Sequence, residues 1–366
     1  MGFLKGVGSY IRWKAEKIEG TEPRLKSSEL SPSIEARRFL GIPPGVKSSS
    51  GWVSSFAPYK EGPISIHDVD FDGLHTLSLR TDTKRINKGK LAQKIKERLA
   101  KKVLEGEKVT RGLKTMVKLS CEAELLARAE PRTRLEEVTF NSKSMEMRSF
   151  TKSEAVVGLF DRTYGVTTRR MTLSSIVIRE SEEIELETLL DETHPFFGVA
   201  MEDVNATDVI AREFLNWLFI SILLGDLDGR IVVRDDVNIA FAVGDSVHFN
   251  LGRKVSIQGK CDQGNGEIKS VFMDGGRIEK MSVFMSIGEH VYSFTIDMWG
   301  ALTMVKNAFS YSENCDFDSI VPMRSLTFDV IDEVIDELCK VFALERTAKS
   351  WQAVLDKHKK AIEGSL

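Results

Sequence analysis

A chain of 366 residues, 42% hydrophobic and 29% charged, has the make-up of a globular protein with room for two or three domains. Its four cysteines, Cys121, Cys261, Cys315 and Cys339, stand far apart with no C-x-x-C pair, which argues against a disulfide framework or a zinc ribbon and fits a reducing cytosol. The net charge is only −3, yet thirteen Lys or Arg and three Glu fall between Lys84 and Lys118, leaving 38 basic and 51 acidic residues for the rest.

The opening, Gly2 to Gly20, mixes apolar residues with lysines, so no signal peptide is expected. Ser27 to Ser50, rich in Ser and Pro, reads as an irregular connection. ISIHDVDF and LHTLSLR alternate in character and read as strands joined by a turn at Asp72-Gly73. From Lys90 the period changes: Leu91, Ile95, Leu99 and Val103 fall four apart, an apolar stripe on one side of a helix. Gly106 interrupts, and Val109, Leu113, Met116 and Val117 begin a second helix. The two form a basic arm whose thin stripe requires a neighbour or a partner chain to lean on.

Thr151 to Arg162 reads as a helix and Met171 to Arg179 as a strand. Glu180 to Asp208 then holds ten acidic residues and no Lys or Arg. The most apolar run, Phe214 to Leu224, is about half the length of a bilayer crossing and reads as a buried helix, so no membrane partner is expected and the Asn205 sequon carries no meaning. Between Ile239 and Val305 the segments IAFAV, SVHFNL, KVSIQGK, RIEKMSVFM and VYSFTID alternate and predict an antiparallel meander, with Gly-Asp, Gly-Arg, Asp-Gly-Gly and Ile-Gly-Glu turns. A final helix carries Phe328, Ile331, Ile335, Leu338 and Phe342, read as core packing. The expected class is α+β: mixed antiparallel sheets, a protruding two-helix basic arm and a β-meander domain. The boundaries expected are 1–83 with 136–212 for a central domain, 84–135 for the arm, 213–345 for a β-rich base, and 346–366 for a helical tail.

Few constellations suggest chemistry. Asp68, Asp70, Asp72 and Gly73 match the opening of a calcium loop, but Leu79 stands where the bidentate glutamate is required. Asp245 followed by Glu267 and Lys269 has the order of an Asp…Glu-x-Lys nuclease site, two carboxylates for Mg²⁺ and a lysine beside the attacking water. The six histidines show no metal spacing, and Gly259 to Gly266 lacks the ending of a phosphate loop. No cofactor or metal is expected. Segregated charge suits a protein that meets a polyanion on one surface and repels it elsewhere.

Several separated segments together resemble the bacterial recombination-associated protein (RdgC) family. Gly51-Trp-Val53 looks like the family's GWVPP segment, and Leu77 to Leu126 is similar to its strand and lysine-rich helix pair, with LLARA (Leu125 to Ala129) for LLPRA. Lys152 to Gly165 resembles a further family helix, and Glu213 to Leu218 stands where the family has a TEWV-like helix. Val255 to Ile268 corresponds in length to another segment, with Lys260, Asp262 and Glu267-Ile268 matching. Asp274 to Lys280 resembles the EAGKxVTK turn. Coverage runs from about residue 5 to 343; Glu130, Gly259 and Cys261 depart from the pattern, and the acidic block looks like an insertion.

The resemblance implies a non-enzymatic, ring-shaped homodimer whose positively charged hole holds double-stranded DNA without sequence preference, restraining RecA-driven recombination in the cytoplasm at the nucleoid. The phosphate contacts expected are Lys84, Arg85, Lys88, Lys90, Lys94, Arg98, Lys101, Lys102, Lys108, Arg111, Lys114 and Lys118, with Lys260 added. Two alternatives remain: the Mg²⁺-dependent nuclease built on Asp245, Glu267 and Lys269, and an interaction module whose acidic block mimics DNA.

Overall fold

The computed structural model describes residues 8–181, 206–233, 237–252, 254–259, 261, 266–307 and 317–363. β1 (Gly8–Lys17) is followed by α1 (Ser27–Glu35) and β2 (Ser48–Val53). These two elements correct the irregular connection expected over Ser27 to Ser50. Leu30, Ser33 and Ile34 recur at helical spacing and are buried, which outweighs the exposed Pro32 inside the helix. Only β3 (Asp70–Phe71) survives of the strand expected from Ile64, because Ile66–Asp68 closes a single 3₁₀ turn with Val69 N–H bonded to Ile66 O at 3.0 Å. β4 (Leu74–Lys84) follows a turn in which Asp72 and Gly73 both take left-handed φ, 54° and 88°, as an Asp-Gly pair predicts.

α2 (Lys88–Leu104) and α3 (Arg111–Arg128) are the two helices of the arm, and β5 (Pro131–Asn141), β6 (Glu146–Ser149), α4 (Glu154–Tyr164) and β7 (Val166–Arg170) come next. The strand expected from Met171 to Arg179 is instead α5 (Leu173–Glu180). Thr172 Oγ1 accepts from Ser175 N–H at 3.2 Å while Ser175 Oγ accepts from Thr172 N–H at 2.8 Å, a reciprocal cap that starts a helix in spite of Ile176, Val177 and Ile178. α6 (Ala206–Leu224) is the apolar helix, followed by β8 (Val232–Val233), β9 (Val237–Asn250), β10 (Lys254–Gln258) and α7 (Gly266–Met273). β11 (Arg277–Ile287), β12 (His290–Asp297), β13 (Ala301–Asn307), α8 (Phe317–Thr347) and α9 (Trp351–Glu363) complete the order. The Gly-Asp turn expected at 244–245 is a bulge within one strand: Val247 faces Met281 and Val243 faces Val283. A Cβ on Gly244 would lie 2.6 Å from Ser282 Cβ, so this close approach requires glycine.

The fold is α+β with antiparallel sheets. The chain divides into two compact units, cut differently from the expected boundaries. One consists of Lys17–Ser142 with Ser153–Val166 and includes the arm together with the strands that flank it. Its strands run β5-β4-β2, with β3 also on β4. Trp52, Phe140, Phe160 and Tyr164 are buried at its core, and Trp52 Nε1 donates to Thr163 Oγ1 at 2.8 Å. The segment Arg37–Phe39 bonds to both sides of Trp52, and a Cβ on Gly51 would come within 2.5 Å of Phe39 N.

The other unit consists of Met1–Glu16, Lys143–Lys152 and Thr167–Leu366. Its strands run β10-β9-β11-β12-β13-β1-β6, and α6 packs on β9 and β11. Phe328, Ile331, Ile335, Leu338 and Phe342 of α8 are all buried, so this stripe is core. Arg12 forks onto Asp336 at 2.6 and 2.9 Å, and Arg148 reaches Asp332 at 2.7 Å and Asp329 at 2.6 Å, tying β1 and β6 to α8. His358 on α9, 1% exposed, lies with Nε2 3.4 Å from Ser221 Oγ. Burial pushes its imidazole down to about 4, outweighing the nearby Asp226 carboxylate. The unfolded chain takes up this proton near pH 6.5, whereas the folded chain resists until about pH 4. The stability it contributes is therefore complete above pH 6.5 and is lost on acidification towards 4, by about 3 kcal/mol. Urea unfolding at pH 7 and pH 4 is expected to show His358→Gln losing less stability over that interval than the wild type.

Candidate nucleic-acid interface

The arm leaves and re-enters neighbouring strands. β4 and β5 pair antiparallel from Leu74↔Asn141 to Lys84↔Pro131, so the helical hairpin starts and finishes on one rung of the ladder. α2 is capped by Asn87, whose Oδ1 accepts from Gly89 N–H at 2.9 Å and Lys90 N–H at 3.1 Å. It ends at Gly106, whose φ of +86° supplies the left-handed residue that the C-terminal turn needs, with Glu107 N–H bonded to Lys102 O at 3.0 Å. Thr110 then caps α3 by accepting from Leu113 N–H at 3.2 Å.

The apolar stripe is as thin as its spacing predicts. No residue of α2 is buried, and α3 buries only Val117, Cys121 and Leu126. Charge does part of the joining. Glu124 of α3 accepts from both Lys94 and Arg98 of α2 and lies 3.5 Å from Arg128, while Arg98 Nη1 also donates to Ser120 Oγ at 2.6 Å. The hydrogen bond from Lys94, with the surrounding cations, holds the Glu124 carboxyl below its usual range. Near the tip Lys102 meets Glu107 at 2.7 Å and Glu105 at 3.2 Å.

Three expected contacts, Lys94, Arg98 and Lys102, thus have acidic partners within the arm. The other nine in the arm, Lys84, Arg85, Lys88, Lys90, Lys101, Lys108, Arg111, Lys114 and Lys118, form no ion pair among the described residues, and all but the half-buried Lys84 are exposed. Lys90, Lys94, Arg98 and Lys101, spaced 4, 4 and 3, follow one side of α2, and Arg111, Lys114 and Lys118, spaced 3 and 4, follow one side of α3. At 100° per residue Lys118 sits about 120° round α3 from Glu124, so the free cations spread over the hairpin rather than collecting on a single face. Lys260 lies outside the described residues.

Sequence reasoning missed Lys96, exposed and without an acidic partner, although it belongs to the same run. It also missed Arg132, and Lys47, which lies 3.9 Å from the Glu122 carboxylate of α3. Both reach the root of the arm through strand register, with Ser48 opposite Thr83 and Thr83 opposite Arg132, and Lys84 N–H bonds to Lys47 O at 2.8 Å. No spacing rule in a single chain reveals them.

The alternative sites look different. Asp245 lies on β9, whereas Glu267 and Lys269 lie in the first turn of α7. Among the described residues no three His, Cys, Asp or Glu side chains gather to hold a metal ion. In the calcium-like stretch Asp70 Oδ1 instead accepts from Gly73 N–H at 2.8 Å, closing the turn. Most of the acidic block, 182–205, lies outside the described residues. No helix among the described residues is long and apolar enough to cross a membrane. No protein-family model and no curated protein matches the chain.

If the caps hold the arm in shape, Asn87→Ala is expected to weaken α2 by about 1 kcal/mol. Amide hydrogen exchange checks this: the first turn of α2 should exchange several-fold faster while β4 and β5 are unchanged.

Proposed function

We propose that the chain is a double-stranded DNA-binding protein without sequence preference, acting as a ring-shaped homodimer that restrains RecA-type strand exchange. The observation that carries the DNA-binding part is the set of ten cationic side chains on the arm, Lys96 included, that form no ion pair among the described residues, in a chain whose remainder is net acidic. Ring closure, the homodimer, the recombinase and the nucleoid location rest on the resemblance to the RdgC family alone. Ammonium and guanidinium groups at the surface neutralise phosphates and release counterions, which supplies affinity without reading bases. The free cations spread round the hairpin and form no single concave wall, so they bear on contact with a phosphate backbone and lend no support to an enclosed passage. No catalytic step and no cofactor belong to this reading.

Duplex affinity measured across a salt series tests it. Affinity is expected to fall steeply, each engaged phosphate adding about 0.9 to the slope of log K against log salt. Lys90→Glu with Lys101→Glu should weaken binding at least tenfold and flatten the slope by about two. Glu124→Gln releases Lys94 and Arg98 and should tighten binding several-fold. A flat salt dependence, or affinity indifferent to these changes, overturns the reading. Mass in solution and a comparison of linear with closed circular duplex test the ring.

A further inference from the structure

A cavity of about 740 Å³ opens at the root of the arm, within the unit of Lys17–Ser142. Its walls come from the segments 38–42 and 52–68, from β4, and from Ala129 to Pro131 where α3 rejoins the sheet. That volume lies in the ordinary range for small-molecule sites, roughly 300–1,000 Å³. We infer that this cavity takes one unpaired nucleobase of single-stranded DNA whose phosphates run onto the arm. The inference rests on the DNA-binding reading above and assigns it a second, strand-specific subsite.

Flatness is the first argument. Arg80 is pinned by Asp82 at 3.0 and 2.8 Å and by Pro58 O at 3.2 Å. Its guanidinium lies over the Phe39 ring at 4.5 Å and over the Tyr59 ring at 5.3 Å. Phe39 and Arg80 both line the cavity, and Tyr59 is 65% exposed beside it. A held stack of guanidinium and aromatic rings offers faces on which any base can lie.

Charge is the second. The cavity's lining carries four basic and four acidic side chains, so it has no net pull on a phosphate. It suits a neutral heteroaromatic ring, and its lining includes the Glu61 and Asp68 carboxylates, a type of group that accepts from exocyclic amino groups. The cations sit at the way out. Lys84 lines the cavity without an acidic partner, and the free Arg85, Lys88 and Lys90 continue from it into α2. Base inside and backbone outside is the arrangement that a neutral cavity next to a cationic arm selects, and a duplex, with its bases stacked away, cannot use it.

A short oligonucleotide with one 2-aminopurine is the probe, single-stranded and as a duplex. Binding of the single strand should shift the 2-aminopurine fluorescence, whereas the duplex should bind without that change. An abasic unit at the probe position should weaken single-strand binding about tenfold. Tyr59→Ala at the exposed ring and Arg80→Lys, with folding checked by circular dichroism, should reduce the shift and the single-strand affinity while leaving duplex affinity within twofold. Lys90→Glu should weaken both strand forms but keep the shift at saturation. An unchanged fluorescence signal, or an abasic strand bound as well as an intact one, overturns the inference even where duplex binding is confirmed. Adenosine binding with no effect of the base in the oligonucleotide overturns it too. Loss of all duplex binding with the single-strand shift intact would sink the functional reading and leave this site standing.

Discussion

The arm depends on the ladder beneath it. Most of a helix's stability in a protein comes from packing an apolar face, and α2 has no buried residue while α3 buries only Val117, Cys121 and Leu126. What makes the hairpin possible is that β4 and β5 pair all the way to Lys84↔Pro131, so the two chain ends enter the helices side by side. The entropy of bringing the helices together is met in the sheet, and the caps at Asn87 and Thr110 and the turn at Gly106 shape the rest. The hairpin gives Val117, Cys121 and Leu126 to the buried core, and none of its cationic side chains is buried.

Such a surface works against itself. Like charges four residues apart destabilise a helix by a few tenths of a kcal/mol each, and α2 carries several such pairs. Glu124 answers the densest part by accepting from Lys94 and Arg98 together, and Glu105 and Glu107 answer Lys102. The carboxyl of Glu124 is held low, so the pairing persists at any pH near neutrality. Beyond these pairs the nine other expected contacts form no ion pair among the described residues. On the proposed reading, a phosphate backbone would relieve repulsion that the folded chain leaves in place.

Much of this organisation is legible in the sequence, and what is not has definite physical causes. The period-four stripe from Leu91 to Val103, the break at Gly106 and the Asp72-Gly73 turn are local signals, and local structure follows them. α1 and α5 were misread because Pro32 and the β-branched run at Ile176 to Ile178 argue against helix, while burial of Leu30, Ser33 and Ile34 and the reciprocal cap of Thr172 and Ser175 decide for it. β9 was read as two strands because Gly244 looks like a turn until its close neighbour Ser282 is known. In the candidate site the free charges were legible, but their sorting was not. Glu124 lies 26 and 30 positions from the two residues that it joins, and Lys47 and Arg132 arrive through sheet register. The cavity is assembled from four separate segments and left no trace in composition.

The chemistry of the cations divides along the same line. Arginine presents a planar fork suited to fixed, paired geometry, whereas lysine is a hydrated point charge on a flexible stem. Arg12, Arg148, Arg80 and Arg98 all have their forks engaged within the protein. Of the nine expected contacts without acidic partners, seven are lysines and only Arg85 and Arg111 are not. Reading a base edge in the major groove calls for bidentate geometry, which a surface of lysines supplies poorly. Diffuse charge of this kind follows backbone wherever it runs, and discrimination has to come from elsewhere. On the proposed reading, the cavity at the root of the arm would add the missing kind of contact, one that separates an unstacked base from a paired one instead of one sequence from another.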